Sequence, residues 1–348
     1  MKLAVVLFNL GGPDSPEAVE PFLRNLFSDP AIISLPAIVR LPLARLIARR
    51  RAPVAKKIYE HIGGRSPIFE ETRKQADALA AALSNDDTEA KCFIAMRCWH
   101  PFSDGAARAV KAFDPDRIVL LPLYPQYSTA TSASSLKDWA RAAKKAKLEK
   151  PTSSICCYPD EAGFVEAAAA QIARTMDGAA GDVSYRLLLS AHGLPKRTIA
   201  RGDPYQWQVE RSAAAIVEKL AMPQLEPVVC YQSRVGPLEW IGPSTDAEIR
   251  RAGADGKGVI VFPVAFVSEH SETLVELDIE YAKLAKESGV KDYRRAPTVG
   301  AEPPFIDGLA TLVRQAMSSK EDASADMISS SGSRLCPKNF CRCAMEKK

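Results

Sequence analysis

The chain has 348 residues, of which 47% are hydrophobic, and a formal net charge of +4. This length accommodates two ordinary domains, and so small a net charge gives no indication of nucleic-acid binding. The first apolar run, residues 3–10, is too short to span a membrane and lacks a signal-peptide cleavage site. We therefore expect a cytoplasmic protein whose eight cysteines are core thiols or metal ligands and not a disulfide framework.

Short apolar runs alternate with longer segments of helical periodicity along most of the chain. Continuous apolar runs are typical of parallel strands covered on both faces, and the alternation is typical of doubly wound α/β units. Strands are predicted at 3–8, 92–96, 117–121, 153–157, 185–189, 227–231 and 259–264. Helices are predicted at 15–27, 68–83, 103–113, 133–146, 162–176, 205–220 and 272–286.

A faint repeat relates the two halves of the chain. Phe8-Asn-Leu-Gly-Gly-Pro13 is similar in shape to Leu189-Ser-Ala-His-Gly-Leu-Pro195. We predict two similar α/β domains with parallel sheets, residues 1–176 and 177–317, with an active-site cleft between them. Residues 318–348 differ in composition and are predicted to form a linker followed by a cysteine-rich extension.

The first half carries an additional segment at about residues 31–65. It combines apolar residues such as Ile33 and Leu35 with several arginines, including Arg49-Arg50-Arg51. This pattern fits either a lipid-facing lip or a helical hairpin packed on the domain.

Only four histidines occur in the chain, and one of them has a distinctive setting. The apolar run 187–189 leads through Ser190 and Ala191 into His192, which is followed by Gly-Leu-Pro. Ligands of open α/β sheets bind beyond the carboxyl ends of strands, where a histidine can act as a base or a metal ligand. A hydrogen-bonded loop histidine is the alternative.

A second apolar run, 259–267, leads into the turn Ser268-Glu-His-Ser271 and then a helical pattern. At helical spacing Glu272, Glu276 and Glu280 form one acidic stripe opposite an apolar face. Such stripes are usually solvated, but this one begins where an α/β site is expected. Imidazole facing carboxylates suits a divalent metal such as Fe(II), and also proton acceptance.

These segments belong to a longer ordered set of motifs. The others include Leu10-Gly-Gly-Pro13, Ile62-Gly-Gly-Arg-Ser-Pro67, Met96-Arg-Cys-Trp-His-Pro101, Leu123-Tyr-Pro-Gln-Tyr-Ser128 and Gln232-Ser-Arg-Val-Gly-Pro237. With them the chain resembles the ferrochelatases, which insert ferrous iron into a porphyrin, over nearly its whole length. The resemblance implies a chelatase-like fold, protoporphyrin IX and Fe(II) as substrates, and a lip formed by the segment 31–65.

Metal insertion removes two pyrrole protons, so the site must bind and bend the ring, accept protons and deliver the metal. We assign proton acceptance and metal contact to His192, metal handling to Glu272, and a proton or metal path to Glu276 and Glu280. The reverse assignment, with metal delivery and deprotonation exchanged between the two sides, stays open. By resemblance, the porphyrin-binding residues are Leu10, Leu26, Arg51, Tyr59, Ser66, Arg97, Trp240 and Phe266.

The tail contains Cys336, Cys341 and Cys343. Thiolates at this spacing suit zinc or an iron–sulfur cluster. The resemblance implies a 2Fe–2S cluster, because some ferrochelatases carry one on a C-terminal extension. Cys156 or Cys157 is the predicted fourth ligand, but not both, since adjacent strand residues point to opposite faces.

The rival functions are a coproporphyrin III ferrochelatase, a cobalt or nickel chelatase, and a non-catalytic tetrapyrrole carrier. A carrier would bind porphyrin without inserting metal. No phosphate loop or dinucleotide fingerprint is present in the sequence. Peripheral contact with the inner face of the membrane and a homodimer are both compatible with this sequence.

Overall fold

The computed structural model describes residues 1–234, 238–318 and 327–346. These residues form two compact units, each with a parallel sheet and helices. The first unit contains residues 1–158 and the described parts of 309–335 and 344–348, and the second contains residues 159–308 and 336–343. The predicted class, two α/β domains with parallel sheets, is confirmed.

The sheet of the first unit has the strand order β2-β1-β3-β4-β9, and all neighbouring strands are parallel. Its strands are β1 (Lys2–Asn9), β2 (Glu89–Met96), β3 (Arg117–Pro122), β4 (Thr152–Ile155) and β9 (Met327–Ile328). Every residue of β1 after Lys2 is buried, because β1 lies between two strands and is covered on both faces. The continuous apolar run in the sequence reflects this position.

The sheet of the second unit has the order β6-β5-β7-β8, again with parallel neighbours. Its strands are β5 (Tyr185–His192), β6 (Glu226–Gln232), β7 (Gly258–Pro263) and β8 (Tyr293–Arg295). His192 pairs in register with Gln232, so the last residues of β5 and β6 are side by side at the carboxyl edge of the sheet. This is the edge at which ligands bind in open α/β folds.

Eleven α-helices and one π-helix accompany the strands in the described residues. The α-helices are α1 (Val19–Ser28), α2 (Ala37–Glu60), α3 (Ile68–Leu83), α4 (Ser103–Phe113), α5 (Ser132–Ala146), α6 (Ala162–Met176), α7 (Lys196–Ala200), α8 (Tyr205–Leu220), α9 (Thr245–Ala254), α10 (Ala282–Glu287) and α11 (Pro303–Ser318). The π-helix covers Glu272–Tyr281 and continues directly into α10. The predicted single helix 272–286 is therefore divided into two kinds of helix.

Several other predicted segments also differ from the structure. Helix α1 begins at Val19 and not at residue 15, because Ser15 first forms a turn closed by the Ala18 amide at 3.1 Å. Strand β4 ends at Ile155, so Cys156 and Cys157 lie beyond it. Helix α6, predicted in the first domain, lies in the second unit, where it packs on α8.

The segment predicted as a lip or a hairpin contains one long helix, α2. Ala44, Ala48 and Ala52 form a buried stripe of small residues on α2, which packs against α1. Other positions of the same segment expose large apolar side chains, namely Ile32, Leu35, Ile38, Val39, Leu41, Leu46 and Val54. Among the described residues, no helix has both the length and the apolar character needed to cross a membrane.

Candidate active site

His192, the last residue of β5, has a side chain that is 37% exposed. Its Nδ1 lies 2.6 Å from the Gly193 carbonyl oxygen. Because a carbonyl can only accept, Nδ1 carries the ring proton and Nε2 of the neutral ring carries the lone pair. The buried Tyr205 hydroxyl donates to the His192 carbonyl at 3.1 Å. The histidine is therefore oriented as a proton acceptor or metal ligand through Nε2.

Glu272 faces this nitrogen from the first turn of the π-helix. Its Oε2 lies 3.8 Å from His192 Nε2, and its side chain is 28% exposed. The two predicted catalytic residues, which are 80 positions apart in the sequence, are thus brought together within the second unit. A base next to an acid at the edge of a sheet can move protons and can ligate a divalent cation.

Gln232 connects the acidic helix to the sheet. Its Nε2 donates to the Glu272 carbonyl oxygen and to Glu276 Oε2, both at 3.1 Å. Its Oε1 accepts from the Ser190 hydroxyl at 2.7 Å, which fixes the orientation of the amide. A buried side chain at the end of β6 therefore sets the height and rotation of the first turns of the π-helix.

Glu276 accepts hydrogen bonds from four donors: Gln232 Nε2, the Ser233 amide, the Ser233 hydroxyl and the Tyr281 hydroxyl. Burial and the neighbouring charge of Glu272 raise the pKa of Glu276 above its ordinary value, and the donors from Ser233 oppose that rise. The Ser233 hydroxyl also lies 3.2 Å from Glu272 Oε2, so it stands between the two carboxylates. These contacts form a hydrogen-bonded route from Glu272 to Glu276.

Ser233 adopts a left-handed backbone conformation, with φ of +61°. Such a conformation is uncommon for a residue other than glycine and is concentrated at functional sites. Here it directs both the amide and the hydroxyl of Ser233 to one carboxylate, Glu276. Neither Gln232 nor Ser233 was predicted as a site residue. Their signal was a pair of polar side chains at the end of β6, at the edge that carries His192.

Two aromatic residues predicted to bind porphyrin lie beside histidines in the second unit. The Trp240 ring centroid is 6.4 Å from that of His192, and the Phe266 centroid is 4.5 Å from that of His270. A Cβ on Gly193 would lie 3.1 Å from the Gln232 carbonyl oxygen and 3.2 Å from Trp240 Cε3, so glycine permits this close approach. Part of the motif containing Gln232, residues 235–237, lies outside the described residues.

The other second-unit residues divide into buried and exposed groups. His270 is buried, and burial lowers its pKa below the ordinary value although Glu272 and Glu269 oppose that effect. Glu280, predicted as part of a proton or metal path, is exposed near the end of the π-helix. The acidic stripe therefore runs from a part-buried pair, Glu272 and Glu276, to the surface.

The first unit holds the remaining predicted porphyrin residues. Leu10, Leu26 and Tyr59 belong to one apolar cluster formed by α1, α2 and the residues after β1 and β2. Ser66 is buried next to Gly12, where an added Cβ would lie 2.5 Å from its hydroxyl. The structure thus groups three of these residues in one cluster.

The two predicted arginines of this unit have different surroundings. Arg51 is exposed on α2. Arg97 Nη2 lies 2.9 Å from Oδ2 of the buried Asp29, and its Nε donates to Ser134 Oγ at 2.8 Å. Asp29 therefore compensates the charge of Arg97, whereas Arg51 presents its charge to solvent.

The cysteines lie in several environments. Cys156 and Cys157 are buried in an apolar cluster of the first unit with Tyr127. In the second unit Cys336 is buried with its sulfur 3.1 Å from Gln208 Nε2, and Cys341 is exposed. Across residues 1–234, 238–318 and 327–346, no three His, Cys, Asp or Glu side chains are arranged to hold a metal ion. The described arrangement therefore does not support the predicted 2Fe–2S cluster. Residues 319–326 of the predicted linker lie outside the described residues, whereas Met327–Ile328, also predicted in this linker, form strand β9.

Comparison with known proteins identifies the family of this chain. A sequence model described as Ferrochelatase matches residues 2–317. The ferrochelatase of Caulobacter vibrioides (strain NA1000 / CB15N) is 58% identical over 318 residues, which cover 91% of this chain and 90% of that protein. The ferrochelatase of Phenylobacterium zucineum (strain HLK1) is 55% identical over 347 residues, covering 99% and 98% respectively. The chain belongs to the ferrochelatase family.

The fold of this ferrochelatase family member is also found in a solved chelatase. The sirohydrochlorin chelatase SirB from Bacillus subtilis subspecies spizizenii, solved in complex with cobalt, has a TM-score of 0.52 and 12% sequence identity. The match covers 90% of this chain and 95% of SirB. At this identity the likeness concerns the fold alone, and it agrees with the two parallel-sheet α/β domains described above.

The hydroxyl between the two carboxylates provides a stability test. Ser233→Ala leaves a residue other than glycine at a φ of +61° but removes the hydroxyl that donates to Glu276. We therefore expect a loss of about 1–3 kcal/mol in the free energy of unfolding. Urea denaturation of Ser233→Ala, Glu276→Gln and the double variant gives the coupling between the two side chains. Additive effects in this cycle would show that the hydroxyl does not stabilise Glu276.

Proposed function

We propose that this protein inserts Fe(II) into protoporphyrin IX, giving protohaem and two protons. The observation that carries the proposal is the pair formed by His192 Nε2, which has no proton in the neutral tautomer, and Glu272 Oε2 at 3.8 Å. Membership of the ferrochelatase family supports the same reaction. Fe(II) and the porphyrin are substrates, and the protein supplies proton acceptors, ligands and ring binding.

The proton chemistry follows from the contacts at the edge of the second sheet. Each pyrrole N–H gives up its proton as an iron–nitrogen bond forms, and His192 Nε2 accepts it. Glu272 then stabilises the imidazolium by its charge and receives the proton in turn. The Ser233 hydroxyl connects Glu272 to Glu276, which provides a second acceptor. Glu280 is exposed, so the proposed proton path leads from Glu276 to solvent through Glu280.

Iron handling uses the same groups. Imidazole nitrogen together with carboxylate oxygen suits Fe(II), which is intermediate between the hard cations and soft thiophilic metals. Glu272 and His192 are the proposed contacts, and Glu276 and Glu280 are the proposed route. The reverse assignment, with iron delivered from the His192 side, predicts that loss of Glu272 impairs deprotonation before iron binding.

Porphyrin binding is proposed for Trp240 and Phe266 in the second unit and for Leu10, Leu26 and Tyr59 in the first. A flat apolar ring is bound by apolar and aromatic surfaces with few polar anchors. Protoporphyrin carries two propionates and coproporphyrin carries four. Asp29 already compensates Arg97, so Arg97 offers a propionate less net positive charge than the exposed Arg51 does. Ser66, Arg51 and Arg97 are the proposed polar neighbours of the propionates or the pocket mouth.

The exposed apolar residues of α2 are the proposed membrane contact. Ile38 is 84% exposed and Val54 is 64% exposed, and Arg49 and Arg50 are on the same helix. Apolar groups with nearby arginines suit an interface with anionic lipid. A peripheral position at the cytoplasmic face of a membrane would place the enzyme where apolar porphyrins partition. A homodimer is compatible with this arrangement.

The histidine provides the direct test of the reaction. We expect His192→Ala to abolish iron insertion while the porphyrin Kd stays within about tenfold, because one imidazole contributes little to burying a large ring. Anaerobic insertion assays and a porphyrin fluorescence titration measure the two properties. Near-normal turnover would remove His192 from the mechanism. If the parent protein binds porphyrin but inserts no iron, the alternative function, a non-catalytic tetrapyrrole carrier, is favoured.

The acidic stripe provides a matched pair of variants. Glu272→Gln keeps the shape of the side chain but removes a charge and a proton acceptor, so we expect kcat to fall at least about a hundredfold. Glu280→Gln makes the same change at an exposed position of the same helix and should change kcat by less than about threefold. If both variants lose activity equally, the reacting end of the stripe has been placed wrongly.

The cysteine-rich extension is proposed to bind a 2Fe–2S cluster, on the support of its thiol spacing alone. Assembly would require the thiols to come together on metal binding, as is common when metal binding and folding are coupled. Anaerobically purified protein should then contain about two irons and two acid-labile sulfides per chain. Cys336→Ser, Cys341→Ser and Cys343→Ser should each abolish the visible absorbance. Three tail thiols leave one of the four ligand positions open, so only one of Cys156→Ser and Cys157→Ser should do so. Full iron content in all five variants would exclude the cluster.

A further inference from the structure

The π-helix is attached to the sheet on a second side, away from Gln232 and Ser233. Strand β8 contributes Tyr293 and Arg295, which are two residues apart and therefore point to the same face. The Tyr293 hydroxyl donates to the Leu277 carbonyl oxygen at 2.7 Å. The intervening Arg294 pairs with Asp292 at 2.5 Å instead. Tyr293 and Arg295 therefore lie on the face of β8 whose tyrosine contacts the π-helix.

Arg295 makes the strongest of these attachments. Its Nε and Nη2 donate to the two carboxylate oxygens of Asp278, each at 2.7 Å, and its Nη1 donates to Glu269 Oε1 at 2.6 Å. Only 12% of the Arg295 side chain is exposed. The Thr298 amide also donates to Glu269 Oε1, at 2.9 Å. A largely buried guanidinium therefore joins two carboxylates that are nine positions apart in the sequence.

The two carboxylates flank the catalytic part of the chain. Glu269 precedes the π-helix, Asp278 lies in its second half, and Glu272 and Glu276 lie between them. Helices with i→i+5 hydrogen bonds are rare and usually last a single turn, so ten consecutive residues need support from outside. Return to α-helical hydrogen bonding would rotate Glu276 relative to Glu272. It would thereby disturb the contacts with Ser233 and Gln232.

We infer that Arg295 is a positioning residue for iron insertion, holding the π-helix in the register that presents Glu272 to His192 and Glu276 to Ser233. The inference rests on the proposed function. Buried ion pairs contribute little net stability but can fix a geometry, which is the property needed here. The bidentate contact with Asp278 depends on the planar guanidinium, so lysine cannot replace it.

The test compares two conservative substitutions on adjacent residues of β8. Arg295→Lys keeps the charge but loses the fork that spans Asp278 and Glu269, whereas Arg294→Lys makes the same change on the opposite face. Activity is measured well below both midpoints of thermal unfolding, so that all the protein is folded. We expect kcat of Arg295→Lys to fall about tenfold or more, because misplacement by a fraction of an ångström is costly in catalysis. The porphyrin Kd should be unchanged, and Arg294→Lys should match the parent.

Hydrogen exchange without substrates provides a readout independent of activity. Arg295→Lys should increase amide exchange in residues 272–281 and leave β5 and β6 unchanged. If Arg295→Lys does not fold, Asp278→Asn provides the same test, because it weakens the same contact from the other partner. It should lower kcat and increase amide exchange in residues 272–281.

An unchanged kcat in folded Arg295→Lys, or faster exchange spread over the whole unit, would overturn the inference. Failure of the parent to insert iron would instead overturn the proposed function. The exchange data would then still decide whether Arg295 holds the π-helix.

Discussion

The Gln232 amide is the contact on which the geometry of the site depends. Its oxygen is occupied by Ser190 of the adjacent strand, and its two N–H groups therefore point to the π-helix. One of them reaches a main-chain carbonyl, which fixes the height of the helix, and the other reaches Glu276, which fixes its rotation. A buried amide with every group satisfied admits one arrangement at low energy. The separation between His192 and Glu272 is a consequence of that arrangement.

Two carboxylates of this segment, Glu269 before the π-helix and Glu276 within it, have opposite electrostatic environments. At Glu269, Arg295 and hydrogen bonds from Thr273 and Thr298 outweigh the effect of burial and hold the pKa below its ordinary value. At Glu276, burial and the charge of Glu272 dominate and raise the pKa. Relative to an ordinary carboxyl, these surroundings favour the ionised form of Glu269 and the protonated form of Glu276. Divergent environments for neighbouring carboxylates are a common way to assign different roles to the same functional group.

The sequence predicted seven of the nine strands in the described residues, β1 to β7, for a clear physical reason. Strands buried on both faces are continuous apolar runs, so their carboxyl ends, including His192, could be located from composition. The π-helix could not be, because Glu272, Glu276 and Glu280 at intervals of four residues fit an α-helix equally well. The choice between the two is made by Gln232, Tyr293 and Arg295, which are distant in sequence and became visible only with strand order.

Other differences between the predictions and the structure also arise from contacts between residues that are distant in sequence. Strand β8 has only three residues, which is too short for a periodic signal, and yet it carries the arginine that supports the acidic helix. Arg97 was predicted from its motif, but its pairing with Asp29 depends on how α1 packs near the end of β2. Cys156 and Cys157 follow a strand that ends earlier than predicted, so alternation along that strand does not determine their directions. Local pattern identified these residues, and long-range packing decided what each one contacts.

The surroundings of Gly193 limit which side chains can stand at that position. The space that a side chain would need at this position is taken by Trp240 and by the carbonyl oxygen of Gln232. A larger residue would require the Gln232 carbonyl oxygen or the Trp240 indole, which lies beside His192, to move by a few tenths of an ångström. A substitution at position 193 would therefore alter the surroundings of His192 and Gln232 at the same time. A substitution of Trp240 itself would change the same surface while leaving the side-chain hydrogen bonds of Gln232 in place.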